Sequence, residues 1–180
     1  MSKRILVGMM AIGMMAGVAY ADNPGTVNLT VTVTPTLSVA VPRATYAFGT
    51  LGAAVASVAA ESTAVINDST DATEKYNLKA SDALGTVPWN LVASGSEGTD
   101  TYSLGAKFNA TKPGDFAAVA FDMENTDVLC DGTEFAGDQD GNNTAAGVEE
   151  LLWFRIKTPT SVGSTDEHTI YITITALNQG

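Results

Sequence analysis

Residues 26 to 41 read TVNLTVTVTPTLSVAV, the pattern of a β-strand with one buried face. Val27, Leu29, Val31 and Val33 fall on one side, and Asn28, Thr30, Thr32 and Thr34 on the other. Successive side chains of a strand point to opposite faces, so this period of two gives one apolar face and one hydroxyl-rich face. Pro35 interrupts the run, and Leu37, Val39 and Val41 resume it up to Pro42. Proline has no N–H for a ladder, so the two breaks place the segment at a sheet edge or where a strand changes sheets.

The same alternation recurs along the chain. It appears in Tyr76, Leu78 and Ala80; in Tyr102, Leu104, Ala106 and Phe108; and in Ile170, Ile172, Ile174 and Ala176. Shorter strands are predicted at Thr63 to Ile66, around Trp89, Leu91 and Ala93, and as a weaker pair within residues 115 to 130. Leu152, Phe154 and Ile156 form another strand face, although Val148 to Lys157 could begin with one helical turn. Leu51 to Ala60 reads as a loop leading into a strand, and residues 67–71, 94–100 and 131–147 read as polar turns and loops. About eight to ten short strands at roughly ten-residue spacing, with no amphipathic helix, predict an all-β fold: an antiparallel β-sandwich.

Upstream lies a different kind of segment. Lys3 and Arg4 precede an apolar run from Ile5 to Val18, and Ala19-Tyr20-Ala21 supplies a small-x-small cleavage site. This order is that of a secretory signal peptide covering residues 1–21, and it is short for a membrane span. The expectation is an exported protein, extracellular, cell-surface or periplasmic. Its mature part, residues 22–180, is a single domain with no integral membrane segment. All 20 acidic residues lie in that part with seven of the nine basic ones, giving a net charge of −13 against −11 for the whole chain. Such a charge repels nucleic acid and anionic lipid and favours cations. Cys130 is the sole cysteine, so there is no internal disulfide; it pairs with another chain or is a small buried apolar residue.

Two stretches resemble known families. Residues 26–41, followed by Tyr46-Ala47-Phe48-Gly49-Thr50, are similar to the start of secreted pilin-like β-sandwiches of the spore coat protein U type, and also to WxL-type surface domains. Residues 67–78 (NDSTDATEKYNL) resemble the B-to-C hairpin of Ig-like bacterial sandwiches. The pilin-like family usually carries paired cysteines, and here Ser38 stands near where one is expected. Trp89-Asn90-Leu91 fits the WxL letters once. These resemblances imply a surface or filament protein.

Catalytic motifs are sparse. His168 is the sole histidine, beside Asp166 and Glu167, and is expected as an exposed residue at the entry to the last strand. There is no Gly-x-Ser-x-Gly, and one His and one Cys far apart do not make a zinc cluster. The expectation is a protein that is not an enzyme. The strongest local chemistry is the acidic loop Asp138-Gln139-Asp140-Gly141-Asn142-Asn143-Thr144 with Glu149 beyond it. With Asp138 as position 1, Asp140, Asn142, Thr144 and Glu149 stand at positions 3, 5, 7 and 12, which resembles the EF-hand calcium loop and makes Ca2+ the candidate cofactor. Asn143 occupies the position where that loop needs a positive φ, which Asn tolerates next best after Gly. The competing reading is an Asp/Asn/Gly-rich surface turn.

Trp89 is in phase with Leu91 and belongs to the core. Trp153 is out of phase with Leu152, Phe154 and Ile156, so together with Arg155 and Lys157 it is expected to face solvent or a neighbouring chain. Two functions follow as expectations. One is a self-assembling surface or envelope subunit that adds Val27, Leu29, Val31 and Val33 to the sheet edge of a neighbour, its partners being itself or other envelope proteins. The other is an extracellular carbohydrate-binding module, calcium-dependent if the acidic loop binds metal, with Trp153 and Arg155 as its contact patch.

Overall fold

The computed structural model describes residues 35–117 and 119–179. The leader and the segment carrying Val27, Leu29, Val31 and Val33 lie outside them. Thr34–Gly180 clusters as one unit.

The described residues are all-β. Nine strands are present among them: β1 (Val39–Ala40), β2 (Ala56–Val58), β3 (Thr63–Asn67), β4 (Glu74–Ala80), β5 (Asn90–Leu91), β6 (Thr101–Phe108), β7 (Val128–Leu129), β8 (Glu149–Lys157) and β9 (Ile172–Asn178). One sheet has the order β1-β3-β8-β6-β5, with β2 also on β8; the other is β7-β4-β9. Strand pairs are antiparallel except β5 with β6, which run parallel, so the purely antiparallel expectation is corrected there. The parallel step arises because residues 92–100 carry the chain back across the sheet before β6 begins.

Alternation drives the strands as expected where one face meets the core. β4 is buried at Glu74, Tyr76, Leu78 and Ala80 and less so between them. Its register with β9 sets Tyr76, Leu78 and Ala80 opposite Ala176, Ile174 and Ile172, apolar against apolar. Across the other sheet Leu104 faces Ile156, Ala106 faces Phe154 and Phe108 faces Leu152. These residues share one core, and Tyr76 of the small sheet stacks on Phe108 of the large one with ring centroids 6.3 Å apart. Fully burying each large apolar side chain contributes about 1.5–3 kcal/mol.

Two regions depart from the sequence reading. Residues 115 to 130 give no strand pair; they hold a 3-10 turn at Val119–Phe121 and the two-residue β7. Val148 to Lys157 holds no helical turn and is strand from Glu149 onward. In both, position relative to β6 decides: β8 gains a long partner on one side and β3 and β2 on the other, while Asp115, Phe116, Phe121 and Asp122 meet Arg155 and Gly105 on the outer face of the sheet.

Candidate functional site

Trp153 and Arg155 lie under that cover. They are 7% and 5% exposed, so the solvent-facing patch expected from the strand phase is corrected. The phase itself is right: Trp153 and Arg155 point away from the core. That face is buried a second time, by the loops. Trp153 Nε1 donates to the Asn109 carbonyl at 2.8 Å, and Arg155 pairs with Asp115. Gly105, opposite Arg155, allows it: a Cβ there would meet the Phe121 carbonyl at 3.3 Å and the Phe116 ring at 3.4 Å. The sequence held no signal for this cover, because the fold alone brings Phe116 and Phe121 over Gly105. The glycan reading loses the aromatic platform it needed at Trp153.

In the acidic loop the carboxylates accept from backbone N–H groups. Asp138 accepts from Ala110 N–H at 2.6 Å, and Asp140 accepts from Asn142 N–H at 2.9 Å. Asn143 has φ +61°, the left-handed conformation the loop reading demanded there. Thr144 is buried and its backbone pairs with Glu74, while Glu149 is exposed at the start of β8. The inward carboxylate is the next residue, Glu150, which accepts from Gly141 N–H at 2.7 Å. Burial pushes the Glu150 carboxyl up, the Gly141 N–H opposes it, and Asp140 pushes it further up. Among the described residues no three His, Cys, Asp or Glu side chains converge as a metal-holding group. Cys130 is fully buried nearby.

The main concavity is elsewhere, a groove of about 1510 Å³ between the two sheets. Leu104, Phe154 and Ile156 line it from the large sheet, and Ile170, Ile172 and Ile174 from the β9 side. The opposite wall is residues 39–53, where Val39, Tyr46, Phe48 and Leu51 pack half-buried against the core. Tyr46 and Phe48 meet edge to face at 5.0 Å, and Tyr46 Oη accepts from Ala60 N–H, which fixes this wall without a strand ladder. β9 is the edge of its sheet: among the described residues its strand pairing is with β4 alone.

The wall starts from a fixed root. Ser38 N–H donates to the Glu74 carboxylate at 2.8 Å, and the Ser38 carbonyl accepts from Asp68 N–H. Glu74 is fully buried; burial pushes its carboxyl up, the Ser38 N–H opposes this, and Asp68 adds to the rise.

At the groove's far end His168 is half-buried rather than exposed. Its ring stacks on Trp89 at 3.9 Å between centroids, and Trp89 in turn packs on Tyr102. Trp89 is thus partly buried, packed on the core as expected and also lining the groove. No known protein family, curated protein or solved structure matches this chain.

Proposed function

We propose that this chain is an exported, pilin-like β-sandwich subunit that assembles with copies of itself or with other envelope proteins. In this reading residues 27–33 of one copy lie along β9 of the next and fill its groove. The observation that carries it is the apolar groove bordered by the edge of β9. An exposed edge offers backbone N–H and C=O groups to an incoming strand, and an apolar groove beside it selects alternate side chains.

The dimensions support the pairing. β9 has seven residues, and the alternating segment 27–33 is of the same length. At about 3.3 Å per residue the two run the same distance. Val27, Leu29, Val31 and Val33 would face Ile170, Ile172 and Ile174, and the Asn and Thr side chains would face outward. Burying four such side chains yields about 6–12 kcal/mol before the cost of association, which is of similar size, so the new ladder of hydrogen bonds decides the affinity.

The test is the molar mass of residues 22–180 in solution, by light scattering after size exclusion, beside a chain lacking residues 22–34. Large or filamentous species from the longer chain, and a folded monomer from the shorter, are expected. A clean monomer from the longer chain overturns the reading. Failure of the shorter chain to fold overturns it too, because the segment then belongs to its own domain.

A further inference from the structure

His168 is placed so that both ring nitrogens meet acceptors. Nδ1 lies 2.8 Å from the Asp166 carbonyl oxygen and Nε2 lies 2.8 Å from the Val87 carbonyl oxygen. A carbonyl oxygen only accepts. A neutral imidazole has one N–H and one bare lone pair, so it satisfies one of these carbonyls and turns its lone pair on the other. The imidazolium donates to both. The ring also lies over the Trp89 face at an interplanar angle of 22°, where a positive charge is attracted by the indole. On the other side the backbone of Gly85 closes in: a Cβ there would stand 2.7 Å from the ring atoms Cδ2 and Nε2. Only a glycine at position 85 leaves the ring its place.

We propose that His168 is a protonation-dependent clasp on the groove wall. Doubly protonated, it ties residues 164–169 to the 85–89 loop and holds Trp89 in the groove lining. With one proton lost, one of the two hydrogen bonds goes, the cation over the indole goes, and the wall loosens. The clasp adds to other ties: Leu84 and Thr169 exchange backbone hydrogen bonds at 2.8 and 2.9 Å, and Asp166 is held below the usual carboxylate range first by the Thr86 hydroxyl, then by Ser164, against a smaller effect of burial, with His168 the least of these. The charged groups around the ring are few. Asp166 and Glu167 sit on its own segment, Asp100 holds Gly163 N–H at the segment's start, and Asp82 precedes the 83–89 loop, which itself carries no charged side chain. Tyr102 lies behind Trp89.

The regulatory consequence rests on the assembly reading above: a closed clasp preforms one wall of the groove, so strand docking is favoured at the acidic end. The experiment is hydrogen exchange by mass spectrometry on the full chain at pH 5.5 and pH 8, corrected for intrinsic exchange, with the mass distribution of the same samples recorded. Protection of residues 164–169 is expected to fall about five-fold at pH 8, the ratio that corresponds to one neutral hydrogen bond, while β4 stays unchanged. His168→Gln, which cannot titrate, is expected to show no such difference. Equal protection of 164–169 at both pH values overturns the clasp, and so does the same pH difference persisting in His168→Gln. Absence of assembly at both pH values with pH-dependent protection sinks the assembly reading and leaves the clasp standing. Assembly with unchanged protection does the reverse.

Discussion

Protonating or neutralising Glu97 is expected to unlatch the back of the large sheet. Glu97 sits in the 92–100 crossover, and its side chain is 1% exposed. It accepts from Lys157 Nζ at 2.8 Å, from the Ser103 hydroxyl and from Gly95 N–H at 3.1 Å. Ser103 and Lys157 are register partners on β6 and β8, so one carboxylate clamps the loop onto both strands. Burial pushes this carboxyl up, but the Lys157 ammonium, the Ser103 hydroxyl and the backbone N–H groups outweigh it and hold it at about 2, against an ordinary 4.5. A depressed carboxylate stabilises the fold fully above the unfolded value and loses that stability as the pH falls through the folded one. At about 1.4 kcal/mol per tenfold, the contribution is about 3 kcal/mol at pH 7, about 1.4 kcal/mol at pH 3, and nearly nothing at pH 2. The assay is denaturant unfolding of the wild type and Glu97→Gln across pH 7 to 2.5. The difference between the two curves cancels the other carboxyls, which titrate in both chains. It should start near 2–3 kcal/mol and close as the pH drops below about 4.5. A difference that stays constant over that window refutes the argument.

Two further outcomes follow from burial. Cys130 is fully buried, and burial, followed by Glu150, Asp140, Asp131 and Glu134, pushes its thiol up. It should therefore resist a thiol reagent at pH 8 in the native protein and react in full once denaturant is added; prompt native reaction would place it at the surface. Trp153→Ala should cost about 3–5 kcal/mol, as large-to-small changes in packed sites do, read as a shift in the denaturation midpoint; a cost below about 1 kcal/mol would mean the indole is not enclosed.

How much of this was legible depends on how many faces of each strand are covered. β4 has one buried face and β9 one half-buried face, so their alternation carried the strand and its phase, but not which strand it pairs with. β6 and β8 are buried on both faces, and there the period of two gave the strand but misjudged exposure at Trp153 and Arg155. Periodicity reports which side a residue is on, and the covering loop comes from far along the chain. β5 was legible only as a strand after Pro88; its parallel pairing depends on residues 92–100 folding back under Glu97, a tie to Lys157 sixty residues away. In the acidic loop Asn143 announced its left-handed backbone, but Glu149 was taken for the inward carboxylate and Glu150 is. One residue along a strand reverses the face, so a ligand count laid over a loop fails once the loop becomes β8. His168 was out of reach: its partners are two backbone carbonyls, which no side-chain pattern reports.

The groove presents a contradiction within one sheet, and the contradiction indicates what is missing from it. β4 and β9 carry the same kind of alternation and pair residue for residue over seven positions. Tyr76, Leu78 and Ala80 are fully buried, yet Ile172, Ile174 and Ala176 opposite them are only half-buried. Three β-branched or aliphatic side chains in strict alternation are the composition of a covered face, and threonines hold the other side. On the far wall Val39, Tyr46, Phe48 and Leu51 are half-buried in the same way. Apolar surface left on both walls of a trough between two sheets costs free energy in proportion to its area, and on the assembly reading an incoming strand covers it. The occupant must be extended, because one wall is an open strand edge; it must alternate, because only one side is apolar. It must also be about as long as β9. On the assembly reading the sequence 27–33, which alternates over seven residues and precedes Ser38 by only a few, is the candidate occupant, and Ser38 itself is tethered to Glu74. Whether the arm lies in its own trough or a neighbour's is a question of reach. Pro35, between the alternating segment and Ser38 in the sequence, restricts its own φ and disfavours a compact turn in the residue before it. On the assembly reading a stiff Pro35 favours donation to a neighbour, so Pro35→Ala should shift large species toward monomer in the light-scattering measurement, and an unchanged mass distribution overturns that role for Pro35.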